Sequence, residues 1–99
     1  MTTYVLMTKL STDVLRDTKH REDIGRRWKQ AIKAKCPDVR FLAHYALLGS
    51  YDFLDIYEAP DADTAAKVSM ITLAQGAERA ESWTAIPYER FLELMDEIS

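Results

Sequence analysis

One predicted strand of the chain is apolar on both of its faces. In residues 48–58, "LGSYDFLDIYE", the alternation of a strand puts Phe53 on one face and Leu54 and Ile56 on the other. Apolar residues on both faces require a cover on both sides of the strand. This requirement constrains the fold more than any other feature, because a chain of 99 residues has few elements with which to cover two faces.

The predicted elements follow the order β-α-β-β-α-β and end in a further helix. Their β-branched and aromatic content predicts strands at residues 3–10, 40–48, 51–58 and 79–86. Amphipathic spacing predicts one helix from about Thr18 to Pro37, after a turn or short helical stretch, and a second from an N-cap at Asp61 to Gly76. The stretch "YERFLELMDEI" closes the chain as a short helix.

This order is typical of a ferredoxin-like α+β sandwich, which we expect as a single domain over residues 1–99. Both long helices then lie on one face of a four-stranded antiparallel sheet, and the other face has no helix to cover it. We therefore expect a homodimer or a higher homo-oligomer in which two copies pack sheet against sheet.

A two-residue turn at Gly49-Ser50 gives the predicted register of the central hairpin. It pairs Leu48 with Tyr51, Ala46 with Phe53, His44 with Asp55, and Leu42 with Tyr57. A four-residue loop would preserve this pairing, and a three-residue loop would shift it. We expect these eight side chains to share the face that the helices leave open. Gly49 is predicted to supply a positive φ, and Asp52 to accept hydrogen bonds from backbone N–H groups near the turn.

The run "LGSYDFLDIYEAPD" resembles the GYD domain family, whose Gly, Tyr and Asp correspond to Gly49, Tyr51 and Asp52. The opening strand, the first long helix and the stretch "AERAESWTAIPYERFLELM" fit the same pattern, so the resemblance covers nearly the whole chain. It implies a dimeric α/β barrel of two ferredoxin-like sheets. Relatives of that architecture include cofactor-free monooxygenases, isomerases, haem-binding proteins and ligand-sensing domains, so the resemblance selects no single function. His44 and Asp55 stand where family members tend to have apolar residues.

His44 and Asp55 are the predicted catalytic pair. A carboxylate beside an imidazole fixes its tautomer and raises its basicity, as a general base requires. On this hypothesis the pair takes a proton from a small aromatic or enolisable substrate, and Tyr51 or Tyr57 donates a hydrogen bond to the developing oxyanion. The alternative is a cross-strand ion pair at a dimer interface, which is the more frequent use of such residues.

Three further aromatic residues are candidates for substrate binding, with core packing as the alternative role: Phe53, Trp28 and Trp83. A net charge of -3 and the lack of a phosphate-binding glycine loop argue against nucleic acid as a partner. No apolar run reaches the ~20 residues that a membrane span needs, and no signal peptide is apparent, so we expect a cytoplasmic protein without membrane contact.

One cysteine, Cys36, and two histidines without ligand spacing predict no metal and no cofactor. The sequence therefore favours a cytoplasmic homo-oligomer that binds a small organic molecule in an apolar cavity. Its activity would be that of a cofactor-independent isomerase or monooxygenase. The alternative is a non-catalytic protein that senses a ligand or docks onto another protein.

Overall fold

The computed structural model describes residues 1–99, and its elements follow the predicted order. They are β1 (Thr2–Leu10), α1 (Thr12–Arg16), α2 (Arg21–Lys35), β2 (Arg40–Ala46), β3 (Phe53–Ala59), α3 (Ala62–Ala74), β4 (Ala77–Ala85) and α4 (Tyr88–Ile98). The stretch predicted as a turn or short helix is α1. The Asp61 side chain accepts a hydrogen bond from the N–H of Thr64 at 2.8 Å, so the predicted N-cap of α3 is confirmed.

The four strands form one antiparallel sheet in the order β2-β3-β1-β4. Helices α2 and α3 pack on the same face of this sheet and contact each other. The indole N–H of Trp28 on α2 donates to the hydroxyl of Thr72 on α3 at 2.9 Å, which ties the two helices together. The predicted ferredoxin-like α+β arrangement is confirmed.

The hydrophobic core lies between the two long helices and the sheet. Leu6 and Tyr57 from the central strands pack with Ile32 from α2 and with Ala65 and Val68 from α3. Burial of a Leu, Ile or Val side chain contributes about 1.5–3 kcal/mol to the stability of the fold. Only 12 of the 99 residues are buried, so most of the remaining apolar side chains keep some contact with solvent.

The helices cover the face of β3 that carries Phe53, Asp55 and Tyr57. Tyr57 and Asp55 are almost completely buried there, and the Tyr57 ring packs in the core below α3. The prediction that this set of residues lies on the open face is therefore wrong. Alternation shows which residues share a face, but both faces of β3 are apolar, and the strand's own sequence does not indicate which one the helices select.

The predicted register is confirmed for the two pairs nearest the turn, but the loop has four residues, 48–51. The N–H of Leu47 donates to the carbonyl oxygen of Asp52 at 2.8 Å, and the predicted pair of Leu48 with Tyr51 is not part of the ladder. The ladder pairs His44 with Asp55 and Ala46 with Phe53. The Asp52 carboxylate accepts a hydrogen bond from the N–H of Leu10 at 2.7 Å, which is the kind of interaction predicted for it. The prediction for Gly49 is wrong, because the only positive φ in the chain is that of Gly76.

A β-bulge changes the register at the other end of β2. An extra residue lies between Phe41 and Ala43, so Tyr57 is paired with Phe41 and not with Leu42 as predicted. The shift turns the Phe41 ring toward the helices, where its centroid lies 5.8 Å from that of Tyr57 and 5.3 Å from that of Trp28. Leu42 is left exposed.

Helix α4 extends away from the sandwich, and the molecule measures 53 × 30 × 18 Å. Its apolar side chains recur at helical spacing and are exposed: Tyr88, Phe91, Leu92, Met95 and Ile98. No helix of the chain is both long enough and apolar enough to span a membrane.

Candidate functional site

His44 on β2 and Asp55 on β3 face each other across the hairpin. The Nδ1 atom of His44 lies 2.5 Å from Oδ1 of Asp55. The carboxyl group of Asp55 is buried, whereas more than half of the His44 side chain is exposed, so the imidazole covers the acid. Burial raises the pKa of Asp55, and the charge and hydrogen bond of His44 oppose that rise. Because Nδ1 is bonded to Asp55, Nε2 is the nitrogen of His44 that a ligand can reach.

Two aromatic rings hold the imidazole of His44 in place. The Trp28 ring lies on one side, with centroids 6.2 Å apart and planes inclined by 28°. The Phe53 ring is closer, at 5.3 Å and 20°. The hydrogen bond from Trp28 to Thr72 fixes the orientation of the indole. These contacts restrict the rotation of the imidazole, although the side chain lies at the surface.

A cavity of about 350 Å³ lies beside His44, between α2 and the sheet. This volume is at the lower end of the range for small-molecule sites. Its walls include the aromatic rings of Trp28, Phe41 and Phe53. Its charged residues are Arg21, Glu22, Lys29 and Asp55.

The structure brings four of the seven predicted catalytic and substrate-binding residues to this cavity: His44, Asp55, Trp28 and Phe53. Tyr57 lies in the core, where its hydroxyl is 2.7 Å from Oγ of Ser82. Tyr51 and Trp83 contact each other edge to face, and both approach Glu81 on the opposite face of the sheet. Neither tyrosine lines the cavity, so neither is placed to donate to an oxyanion formed there.

Sequence reasoning missed several residues of the cavity wall. Arg21, Gly25 and Lys29 line it together with Trp28. Their spacing of four residues places them on one side of α2, so the helical period of the sequence contained this signal. Phe41 also lines the cavity, and the bulge in β2 concealed its position.

The second histidine, His20, lies at the surface before α2. Its Nδ1 atom is 2.8 Å from Oδ1 of Asp17, and both side chains are largely exposed. The structure gathers no group of three or more His, Cys, Asp and Glu side chains of the kind that holds a metal ion.

The face of the sheet opposite the helices is a second candidate surface. We call it the open face, and six large apolar residues point to it: Val5, Met7, Tyr45, Leu54, Ile56 and Trp83. Met7 is buried by its neighbours, and Val5, Leu54 and Ile56 are half-buried. Tyr45 and Trp83 are about half exposed, at 59% and 47%. Large apolar side chains that are exposed together on one face of a protein often mark an interaction site.

A sequence model of the GYD domain matches residues 4–95, nearly the whole chain. The protein belongs to the GYD domain family. A relative from Thermus thermophilus, named "Glutamine synthetase and cystathionine beta-lyase binding protein", is 41% identical over 49 residues. Those residues are 50% of this chain and 52% of the relative, so the match spans about half of each protein. No solved structure matches the chain.

The residues that give the GYD family its name organise the hairpin tip of this protein. Asp52 binds the backbone of β1 through its carboxylate and through its N–H, which donates to the carbonyl oxygen of Thr8 at 2.8 Å. The Tyr51 hydroxyl donates to Glu81 on β4 at 2.7 Å, and this bond raises the pKa of Tyr51 and lowers that of Glu81. The motif of this GYD domain protein therefore joins the hairpin to β1 and β4, and none of its three residues lines the cavity.

Proposed function

We propose that this GYD domain protein is a non-catalytic, homodimeric protein of the cytoplasm that binds a metabolic enzyme. The observation that carries the proposal is the amount of apolar surface that a single copy leaves uncovered. The name of the Thermus relative supports the choice of partner, because it describes that protein as binding two enzymes, glutamine synthetase and cystathionine beta-lyase.

The accessible surface is too large for a compact monomer. It measures 6993 Å², whereas a monomer of 11.4 kDa is expected to expose about 5,800 Å². The radius of gyration is 15.0 Å, against about 12.6 Å expected for a compact chain of this length. The excess surface, about 1,200 Å², is of the size that one subunit buries in a stable dimer.

The open face and α4 account for this excess. Tyr45 and Trp83 on the open face are exposed, as are the apolar side chains of α4, which makes few contacts with the rest of the chain. A two-fold axis brings the same patch of two copies together, so that Trp83 and Ile56 of each copy meet the partner's sheet. In the homodimer each copy covers the open face of the other.

Sedimentation or light scattering on the purified protein tests the dimer, and titration with purified enzymes tests the function. We expect a particle of twice 11.4 kDa at micromolar concentration. We also expect it to bind glutamine synthetase or cystathionine beta-lyase from the same source, as measured by calorimetry.

Two matched variants locate the surface. Trp83→Arg places a charge on the open face and is expected to give monomers. Met70→Arg places the same charge on the exposed side of α3, where Met70 is 65% exposed, and is expected to leave the dimer intact. A monomer at micromolar concentration that binds neither enzyme contradicts the proposal.

A second candidate function is the binding of a small organic molecule in the cavity, with turnover by proton transfer. The observation that favours it is the imidazole of His44, presented beside a cavity and bonded to a buried carboxyl group. We place it second because Tyr51 and Tyr57, the expected oxyanion donors, both point elsewhere. Native mass spectrometry of the protein purified from its own host tests it through any small molecule retained.

A further inference from the structure

We propose that the cavity beside His44 binds a small planar aromatic carboxylate. This inference extends the second candidate function by naming the ligand class, and it is independent of the proposed binding of an enzyme. It rests on the shape of the walls, on the charges around them and on an unfilled position in α2.

The walls of the cavity favour a flat ring. Trp28, Phe41 and Phe53 contribute aromatic faces, and the imidazole of His44 lies between Trp28 and Phe53. Aromatic rings stack on one another in offset or edge-to-face geometry, and such pairs gain energy beyond the area that they bury. A volume of about 350 Å³ accommodates a one-ring or two-ring acid.

The charges around the cavity favour an anion. Arg21 and Lys29 are its two cations, and Glu22 is the one acid of its wall that no histidine covers. One Arg21 nitrogen donates to the carbonyl oxygen of Val14 at 2.8 Å, which holds the guanidinium in place and leaves its other donors free. The Asp55 carboxyl group is hydrogen-bonded to His44, and this bond partly offsets its negative charge.

His44 provides a hydrogen bond at the centre of the site. With Nδ1 bonded to Asp55, Nε2 is the ring nitrogen that faces a ligand, and it donates to a ligand carboxylate when it carries a proton. A ligand carboxylate that accepts from Nε2 lies near the two cations of α2. Charge-assisted bonds of this type are stronger than bonds between neutral groups.

Gly25 leaves one wall of the cavity open. It lies within α2, where a glycine costs roughly 0.5–1 kcal/mol of stability relative to alanine. A Cβ atom at this position would meet no atom within 4 Å, and the backbone there has no positive φ. Neither packing nor backbone conformation therefore requires a glycine at position 25, and a large side chain there would extend toward the cavity that this residue lines.

Calorimetric titration of the full chain with benzoate and 1-naphthoate tests the inference. Benzamide is the uncharged control, and cyclohexanecarboxylate is the non-planar control. We expect both aromatic acids to bind, and both controls to bind at least about tenfold more weakly, because each loses either the charge-assisted bonds or the stacking. Equal binding of benzoate and benzamide overturns the proposal, as does no binding of either aromatic acid.

Two variants locate the site on α2. Gly25→Leu fills the cavity and is expected to weaken 1-naphthoate binding at least about tenfold, with a circular dichroism spectrum like that of the wild type. Lys29→Gln removes one cation and is expected to weaken binding severalfold, whereas Lys33→Gln, on the same helix but outside the cavity wall, is expected to have no effect.

The proposed location of the site is wrong if Lys29→Gln and Lys33→Gln lose the same affinity for 1-naphthoate, or if a folded Gly25→Leu protein binds it as the wild type does. The lysine pair decides the question if Gly25→Leu does not fold. A protein that forms dimers and binds its enzyme but none of the acids overturns this inference alone.

Discussion

The imidazole of His44 provides the one side-chain hydrogen bond to the carboxyl group of Asp55, which is otherwise buried against the helices. The pair is asymmetric, because His44 has water on its outer side and Asp55 does not. Removal of the His44 side chain is therefore expected to destabilise the protein more than removal of a typical exposed side chain, because it leaves the buried carboxyl group of Asp55 without its hydrogen-bond partner.

His44→Ala is expected to lower the free energy of unfolding by roughly 1–3 kcal/mol at neutral pH, the cost of leaving a buried polar group unpaired. Burial already raises the pKa of Asp55, and loss of the imidazole raises it further, because His44 opposes the rise more than Lys29 does. The deficit is therefore expected to shrink as the pH falls through that pKa and the acid becomes neutral. Urea denaturation at several pH values measures it.

The double variant His44→Ala/Asp55→Asn is the control for this interpretation. Asparagine carries no charge, so the double variant is expected to be more stable than His44→Ala alone. Strictly additive effects of the two substitutions would show that the pair is not coupled.

Tyr57 is expected to make the protein sensitive to alkali. Burial raises its pKa from 10.0 to about 12. A proton held more tightly by the folded state stabilises that state below pH 10.0, and the stabilisation is lost as the pH rises through about 12. Tyr57→Phe has no hydroxyl to ionise and lacks this loss. The difference in free energy of unfolding between the variant and the wild type should therefore shift in favour of the variant by roughly 2–3 kcal/mol between pH 10.0 and about 12. Denaturant titrations of both proteins at each end of it measure the change, and parallel pH profiles would contradict it.

The element order could be predicted from the sequence because local signals specify it. Asp61 caps α3 through a hydrogen bond three residues along the chain, and Pro37 stops α2 by its own geometry. The pairing of His44 with Asp55 was predicted for the same reason, because a four-residue loop preserves the register of the expected two-residue turn. Each of these interactions involves residues that are close in sequence.

The positions of the site residues depended on contacts between distant parts of the chain. Phe41 reaches the cavity because of a bulge at Leu42, and nothing in the sequence of β2 predicts that bulge. Which face of β3 the helices cover is decided by the fit of Ile32 and Val68 against Tyr57. A strand that is apolar on both faces leaves that choice to tertiary packing.

The glycines at positions 76 and 25 are expected to respond in opposite directions to the same substitution. Gly76 has a φ of +112°, and a Cβ atom there would lie 2.8 Å from Cγ2 of Val14. Gly76→Ala is therefore expected to destabilise the protein by more than about 1 kcal/mol. Gly25→Ala meets no atom and is expected to stabilise α2 by roughly 0.5–1 kcal/mol. Thermal denaturation of both variants measures the two effects, and melting temperatures that shift in the same direction would contradict the prediction.

The open face is expected to make the melting temperature depend on protein concentration. If two copies cover each other's Ile56 and Trp83, folding is coupled to association, and dilution favours the unfolded chains by mass action. The melting temperature of the wild type should fall with each dilution, as measured by calorimetry or circular dichroism. Trp83→Arg should melt lower and at a temperature independent of concentration, whereas Met70→Arg should keep the dependence of the wild type. A wild-type melting temperature that does not change with dilution over the micromolar range, together with a monomeric mass, would mean that the open face stays in contact with water.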